Sequence, residues 1–144
     1  MADASRLAGL IDIDSAGTTG AHSGSAPDPR AIDVAQRRGY DLAGLRARQV
    51  SAADFELCDY IIAMDMQNVR YLKSACPPRM AHKVELLLDY GGEEDELEVP
   101  DPYYGAIQDF EHSLELIEEG CRGLLEHLTD LYLARGVGAL KREA

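Results

Sequence analysis

The segment from residue 60 to residue 65 reads Tyr-Ile-Ile-Ala-Met-Asp, a short apolar run that ends abruptly at a carboxylate. A continuous run of this length, without polar alternation, is typical of a strand buried on both faces, as in a parallel sheet. Asp65 can cap a helix, because its carboxylate accepts hydrogen bonds from the free N–H groups of a first turn. The residues that follow carry an apolar face and end before Pro77 and Pro78. The stretch therefore predicts one strand followed by one helix.

Helix signals also lie upstream of this unit. Asp28 and Pro29 predict the start of a helix that ends at Arg38, just before Gly39. Residues 51–54, Ser-Ala-Ala-Asp, resemble a capping box, in which two side chains accept the unpaired N–H groups at a helix start. Two helices are therefore expected before the central apolar run.

Three further segments complete the pattern. Residues 83–88 are apolar and short enough for a second strand, and residues 11–14, Ile-Asp-Ile-Asp, alternate as a half-buried strand does. One long amphipathic helix is predicted from apolar residues at helical spacing: Phe110, Leu114, Ile117, Cys121, Leu124, Leu128 and Leu131. Alternating strands and helices indicate an α/β fold of three layers, with a mainly parallel sheet flanked by helices and a ligand site at the carboxyl ends of the strands.

Length and charge narrow the class of protein. The chain is expected to form a single domain over residues 1–144. Its net charge of -12 argues against non-specific binding to nucleic acid or to an anionic membrane, because an acidic surface repels polyanions. No apolar run approaches the roughly 20 residues of a membrane span, and residues 1–10 do not form a signal peptide, so a cytoplasmic location is expected.

Cys58, Cys76 and Cys121 show no C-x-x-C spacing and are interpreted as reduced structural thiols.

The residues at the predicted strand ends form a recognisable set. Residues 14–18 read Asp-Ser-Ala-Gly-Thr, residues 63–65 read Ala-Met-Asp, and residues 99–105 read Val-Pro-Asp-Pro-Tyr-Tyr-Gly. With Ala-Pro-Asp-Pro-Arg at 26–30, this set resembles the low-molecular-weight protein tyrosine phosphatases. The match is collinear over residues 11–128, and D-P-Y-Y-G is its most specific part. The resemblance implies that family's phosphotyrosine phosphatase I-like fold.

The same resemblance implies an activity: hydrolysis of phosphotyrosine through a cysteinyl-phosphate intermediate, with no metal or other cofactor. By motif position Asp101 corresponds to the general acid, and Tyr103 and Tyr104 correspond to aromatic walls beside the phenyl ring of the substrate. Ser15 corresponds to a serine that supports the phosphate loop. Two flanking prolines and shielding by the tyrosines favour the acid role, whereas the competing interpretation is an ordinary Asp-Pro turn. The implied partner is a tyrosine-phosphorylated protein.

The sequence departs from the family at the phosphate loop, whose pattern is C-x-x-x-x-x-R-[ST]. No cysteine is followed six places later by arginine: Cys58 leads to Met64, Cys76 to His82 and Cys121 to His127. Residues 15–25 contain no cysteine, lysine or arginine and cannot replace this anion cradle. Residues 1–10 resemble the last turns of the family's first helix, so we expect a chain truncated at its N-terminus that lacks the family's first strand and is poorly stable. Ala21 also stands where many members carry an aromatic residue on the pocket rim.

Several alternatives stay open. Besides a phosphatase that needs the missing segment, the chain fits a catalytically inactive pseudophosphatase or interaction module that keeps the D-P-Y-Y surface. D-P-Y-Y-G argues against an arsenate reductase, and isolated His and Cys pairs without a third ligand argue against a metal hydrolase. Asp65 and Asn68 are similar to residues near the active-site face of the family, but a helix N-cap and a polar residue of the first helical turn explain them equally well. Four arginines are interpreted as solvated charge rather than as ligands for an acidic partner: Arg30, Arg46, Arg48 and Arg70. The sequence does not predict an oligomeric state.

Overall fold

The computed structural model describes residues 9–135 of the chain. From the second helix onward, helices and strands alternate along the described range, and two 3₁₀ segments, Pro78–Lys83 and Leu87–Asp89, lie on either side of the second strand. The regular elements are α1 (Pro29–Arg37), α2 (Ala52–Leu57), β1 (Ile61–Ala63), α3 (Met66–Ala75), β2 (Val84–Leu86) and α4 (Ile107–Arg135).

The first and third helices begin at their predicted caps. The Asp28 carboxylate accepts a hydrogen bond from the N–H of Arg30 at 2.8 Å, and the Asp65 carboxylate accepts one from the N–H of Asn68 at 2.7 Å. Each bond satisfies a backbone donor that has no partner inside its helix. Both cap predictions are confirmed. Asp65 and Asn68 form the hydrogen bond expected of a helix cap.

The second helix and the end of the first also follow the local signals. The N–H of Ser51 donates to Asp54 Oδ2 at 2.7 Å, which is the reciprocal bond of a capping box. Gly39 follows α1 with a φ of +87°, a conformation that only glycine adopts without steric cost. Local chemistry therefore accounts for both boundaries.

Within residues 9–135 the sheet consists of β1 and β2 in parallel, with Ile61 opposite Val84 and Ala63 opposite Leu86. Alternate side chains point to opposite layers, as strand geometry requires. Ala63 lies in an apolar cluster with residues of α2, α3 and the first 3₁₀ segment, whereas Ile62 packs beside α4. Helices thus cover both faces of a parallel sheet, as predicted. The first cluster is Phe55, Ala63, Val69, Leu72, Cys76, Met80, Val84 and Leu86, and the second contains Leu87, Leu88, Val99 and Leu116.

The predicted strand at residues 11–14 is wrong. Residues 11–16 have no regular secondary structure, and the nearest pairing is a single parallel bridge between Gly17 and Gln49. Ile13 has 72% of its surface exposed. Alternation makes a strand only when a neighbouring strand accepts its backbone hydrogen bonds, and no strand among residues 9–135 lies beside this segment.

The second apolar run forms less strand than expected, because the chain leaves the sheet after Leu86 and packs against α4. Two glycines of α4 allow this close approach. A Cβ at Gly120 would lie 2.5 Å from Leu87 Cγ, and a Cβ at Gly123 would overlap the carbonyl oxygen of Tyr90. Leu87 is consequently 2% exposed. This seam between α4 and the chain after β2 is not visible in the apolar pattern of the sequence.

The long helix α4 also forms ion pairs and a hydrogen bond with the residues that follow α1. The Arg38 guanidinium forms ion pairs with Glu115, at 3.0 Å, and with Glu118, and the Tyr40 hydroxyl donates to Glu118 at 2.8 Å. The pKa of Tyr40 is raised chiefly by this hydrogen bond. Within the described range, no helix has the combination of length and apolar content that crossing a bilayer demands.

Candidate active site at the carboxyl edge of the sheet

Residues 99–105 lie directly beyond the carboxyl end of β1. The N–H of Val99 donates to the carbonyl of Met64 at 2.8 Å, which attaches the segment to the strand end. The Ser113 hydroxyl of α4, a buried group, donates to the carbonyl of Pro100 at 2.8 Å. The segment is therefore held from the sheet and from a helix, and such support is what a loop needs to place side chains for chemistry.

The D-P-Y-Y-G turn brings three of the four predicted site residues together. The N–H of Tyr103 donates to Asp101 Oδ1 at 3.1 Å, and the N–H of Gly105 donates to the carbonyl of Pro102 at 2.8 Å. The rings of Tyr103 and Tyr104 meet edge to face with centroids 4.9 Å apart. Tyr103 is 57% exposed and Tyr104 97%, and Asp101 is exposed as well. The expected shielding of the carboxyl by the tyrosines is therefore wrong.

A side chain from α1 braces this turn. Arg30 donates from Nη2 to the carbonyl of Tyr103 at 2.8 Å and from Nη1 to the carbonyl of Gly105 at 3.0 Å. Asp28 accepts from the Nε and Nη2 of the same guanidinium at 3.1 and 2.9 Å, and the Phe110 ring centroid lies 4.5 Å from its central carbon. The hydrogen bonds to Arg30 lower the pKa of Asp28 and the same pair raises the pKa of Arg30.

The interpretation of Arg30 as solvated charge is corrected by these contacts. The sequence did contain a signal: Asp28 and Arg30 stand two residues apart at a helix start, where one carboxylate can both cap the helix and grip the arginine. What it did not contain was the partner turn, which is 73 to 75 residues away. Sequence spacing cannot reveal a contact made across the fold.

The segment that carries Ser15 is held separately, by Arg48. This arginine donates to Asp54 at 2.9 and 3.0 Å and to Asp14 at 3.0 Å, while its carbonyl accepts the N–H of Gly17 at 2.8 Å. The hydrogen bond from Arg48 is the main cause that lowers the pKa of Asp54 to about 2. The N–H of Ser15 donates to Asp14 at 2.8 Å, and its hydroxyl has no partner among the described residues. Arg48 is thus also more than solvated charge.

A groove of about 420 Å³ opens between α1, α4 and the end of β1, and Asp101 lies on its wall. The lining residues are mostly apolar, and the polar ones include Asp65, Asn68 and Asp101. The predicted acid therefore borders a cleft. The lining residues are Ala31, Val34, Ala35, Leu42, Met64, Asp65, Asn68, Val99, Pro100, Asp101, Pro102, Phe110, Ser113, Leu114 and Ile117.

The acidic loop at residues 91–98 is irregular and largely exposed. It is nevertheless attached at two points. The Glu98 carboxylate accepts the N–H of Met66 at 3.0 Å, at the start of α3, and Glu96 lies 3.3 Å from His112 Nε2. A carboxylate at a helix N-terminus is favoured by the partial positive charge there.

The three cysteines are free thiols. Cys76 is buried, and Cys58 and Cys121 are half-buried. Burial raises the pKa of the Cys121 thiol, which disfavours its thiolate form. Among residues 9–135, no three His, Cys, Asp or Glu side chains gather in a way that would hold a metal ion.

The parallel α/β sheet and the Asp-Pro-Tyr-Tyr-Gly turn at its carboxyl edge agree with the resemblance to the low-molecular-weight protein tyrosine phosphatases. Residues 1–132 match the family model of the low molecular weight phosphotyrosine protein phosphatases. The chain belongs to this family.

Individual relatives agree with that assignment. The chain is 41% identical over 119 residues to the low molecular weight protein-tyrosine-phosphatase YfkJ of Bacillus subtilis, covering 83% of this chain and 75% of the relative. It is 42% identical over 125 residues to the low molecular weight protein-tyrosine-phosphatase of Streptomyces coelicolor, covering 83% of this chain and 74% of the relative. The crystal structure of YfkJ superposes with a TM-score of 0.79 at 40% identity, over 86% of this chain and 77% of that one. A protein tyrosine phosphatase of Entamoeba histolytica, with Hepes in its active site, superposes with a TM-score of 0.82 at 35% identity, over 86% and 79%.

Proposed function

We propose that this chain supplies the acid and aromatic side of a phosphotyrosine phosphatase site, with Asp101 as the general acid that protonates the departing phenol oxygen. The observation that carries the proposal is the placement of Asp101: it lines the groove at the carboxyl edge of the sheet, and the N–H of Tyr103 orients its carboxylate. A general acid must first lie within reach of the bound substrate, and a cleft-lining carboxylate meets that condition.

Tyr103 and Tyr104 are proposed to flank the phenyl ring of the substrate. Their rings are exposed beside Asp101, and an exposed aromatic pair can stack on an incoming ring without first leaving a packed interior. Ser15 is proposed to support the phosphate loop, because its exposed hydroxyl has no partner among the described residues. The substrate proposed is a tyrosine-phosphorylated protein, and the protein is proposed to act as one cytoplasmic domain over residues 1–144.

The nucleophile is the part of the proposal that the chain does not supply. The 144-residue sequence contains no C-x-x-x-x-x-R-[ST], Cys76 is buried, and the pKa of Cys121 is raised by burial. Cysteinyl-phosphate formation needs a thiolate at an anion cradle. We therefore propose that the chain, as the 144 residues stand, lacks the nucleophile segment and does not hydrolyse phosphotyrosine unless that segment is supplied.

The lack of the motif also favours a second function, that of a catalytically inactive pseudophosphatase or interaction module. Such a module would keep the Asp101 to Tyr104 surface and use it to bind phosphotyrosine or another partner without cleaving it. The two functions differ in one observable, the release of inorganic phosphate.

The deciding experiment has two parts. The first is the intact mass and N-terminal peptide of the protein isolated from its native cell. The second is hydrolysis of p-nitrophenyl phosphate by the 144-residue chain and by a loop-completed protein, defined as the same chain preceded by a strand and a C-x-x-x-x-x-R-S loop. Phosphate release by the loop-completed protein alone supports the phosphatase proposal. Release by neither, with a native mass of 15.7 kDa, would leave the inactive module.

A further inference from the structure

One residue of the turn connects the proposed acid to α1. The carbonyl of Tyr103 accepts from Arg30 Nη2 at 2.8 Å, and the N–H of the same residue donates to Asp101 Oδ1 at 3.1 Å. The orientation of Tyr103 therefore depends on Arg30, and the orientation of the Asp101 carboxylate depends on Tyr103. A second bond, from Arg30 to the carbonyl of Gly105, prevents the turn from pivoting about the first.

Arg30 can act as a fixed point because it is itself held on other sides. The Asp28 carboxylate accepts hydrogen bonds from it through both oxygens, and its central carbon lies over the ring of Phe110, a buried residue, 4.5 Å from the ring centroid. Charge-assisted, forked hydrogen bonds of this kind restrict both the position and the plane of a guanidinium. The turn is consequently attached to the first helix rather than left as a free loop.

We infer that Arg30 is a positioning residue, which orients Asp101 and Tyr103 by holding the carbonyls of Tyr103 and Gly105. The inference rests on the proposed function in so far as Asp101 is the acid. Lysine cannot replace this arginine, because an ammonium has no planar fork with which to reach two carbonyls and a carboxylate at once. The structure also offers a matched control in Arg37, which lies on the same helix and pairs with Asp33 at 2.8 Å without contacting the turn.

The first test compares R30K with R37K in the 144-residue protein. Chymotrypsin cleaves after exposed tyrosines in mobile segments, so cleavage at Tyr103 and Tyr104 reports how firmly the turn is held. We expect R30K to be cleaved there about tenfold faster than the parent, and R37K at the parent rate. The amide shifts of Tyr103 and Ala106 in NMR spectra should move in R30K and stay in place in R37K. Equal cleavage and unchanged shifts in R30K would overturn the inference.

Two further variants separate positioning from loss of folding. D28N keeps a residue that caps helices well but removes the charge that grips Arg30, so it should raise cleavage at the same tyrosines by a smaller factor. In R30A, millimolar guanidinium chloride should restore protection of the turn, whereas sodium chloride at the same concentration should not. If R30A is cleaved faster at every site, with a lower midpoint of thermal unfolding and no guanidinium effect, the role is merely structural and the inference fails.

The cleavage and NMR results do not depend on phosphatase activity. In the loop-completed protein, R30K should lower kcat for p-nitrophenyl phosphate with KM nearly unchanged, because it misplaces the acid and leaves the phosphate loop intact. A parent that hydrolyses nothing would count against the proposed function alone. If the loop-completed parent is active and R30K loosens the turn without lowering kcat, the inference that Arg30 positions Asp101 is overturned.

Discussion

The turn at residues 101–105 and the segment at residues 14–20 are each held by an arginine paired with an aspartate, yet the two arginines grip different atoms. Arg30 donates its hydrogen bonds to backbone carbonyls of the turn, and its guanidinium carbon lies 6.0 Å from the ring centroid of Tyr103, which is still 57% exposed. The Arg48 guanidinium pairs with the side chain of Asp14, which is 75% exposed. Its contact with the backbone of the segment is made by the Arg48 carbonyl, which accepts the N–H of Gly17. The first arrangement suits a turn whose side chains meet a substrate, and the second suits a segment that supports another element.

The largest expected effect tests this contrast in the loop-completed protein. D101N should lower kcat by about 100- to 10,000-fold, because an amide cannot donate the proton of a general acid. S15A should lower it by only roughly tenfold, because the serine is proposed to act through another loop. Steady-state kinetics with p-nitrophenyl phosphate measure both. Equal losses in the two variants would place both loops in the same role.

A second prediction uses the seam between α4 and the chain after β2. G123A should destabilise the protein by about 3 kcal/mol, because the added Cβ would overlap the Tyr90 carbonyl oxygen. The displaced helix carries Phe110 and Ser113, which support the turn at 101–105. Denaturant unfolding measures the loss, and chymotrypsin cleavage at Tyr103 should increase with it. If G123A is as stable as the parent, the chain around Tyr90 can move away from the added Cβ at little cost, and the prediction is wrong.

The Arg48-held segment can be weakened selectively by acid. The pKa of Asp54 is lowered in the folded protein to about 2, below its unfolded value near 4, so its contribution is complete above about pH 4 and is lost as the pH falls through about 2. After allowance for the partial exposure of Arg48, that contribution is about 1 kcal/mol. The free energy of unfolding should therefore fall less between pH 4 and pH 2 in D54N than in the parent. Parallel curves for the two proteins would refute this assignment.

The smallest expected effect concerns the most exposed ring. Y104A should change the free energy of unfolding by less than about 0.5 kcal/mol, because Tyr104 is 97% exposed. In the loop-completed protein it should raise KM for aryl phosphates about 2- to 10-fold through loss of one stacking surface. An alkyl phosphate, which has no ring to stack, serves as the control substrate and should show no such change. A similar rise in KM for both substrates would remove the aromatic wall from the proposal.

Much of the fold was predictable because its signals are local. The caps at Asp28, Asp65 and Ser51 were located correctly, since each depends on hydrogen bonds within three residues. The apolar run at residues 60–64 likewise predicted β1. The strand at residues 11–14 was predicted wrongly, because alternation describes what a strand would look like and says nothing about a neighbour to pair with.

The candidate site divides in the same way. The D-P-Y-Y-G residues were identified from their order in the sequence, and their grouping in one turn follows from the short spacing. The interpretation of Arg30 as solvated charge was wrong, because the turn that it contacts comes from the other half of the chain. The exposure of Asp101 was also missed, since neighbours in sequence need not shield one another in space.

Interactions within a single helical turn, strand or loop could be predicted from the order of residues alone. They gave the helix starts, the buried strand and the residues of the D-P-Y-Y-G turn. The long-range contacts, namely Arg30 on the turn, the glycines of α4 against Leu87 and Tyr90, and the groove beside Asp101, became visible only once the chain was folded. The physical reason is that such contacts depend on how the layers pack, and packing is a property of the whole chain rather than of any segment.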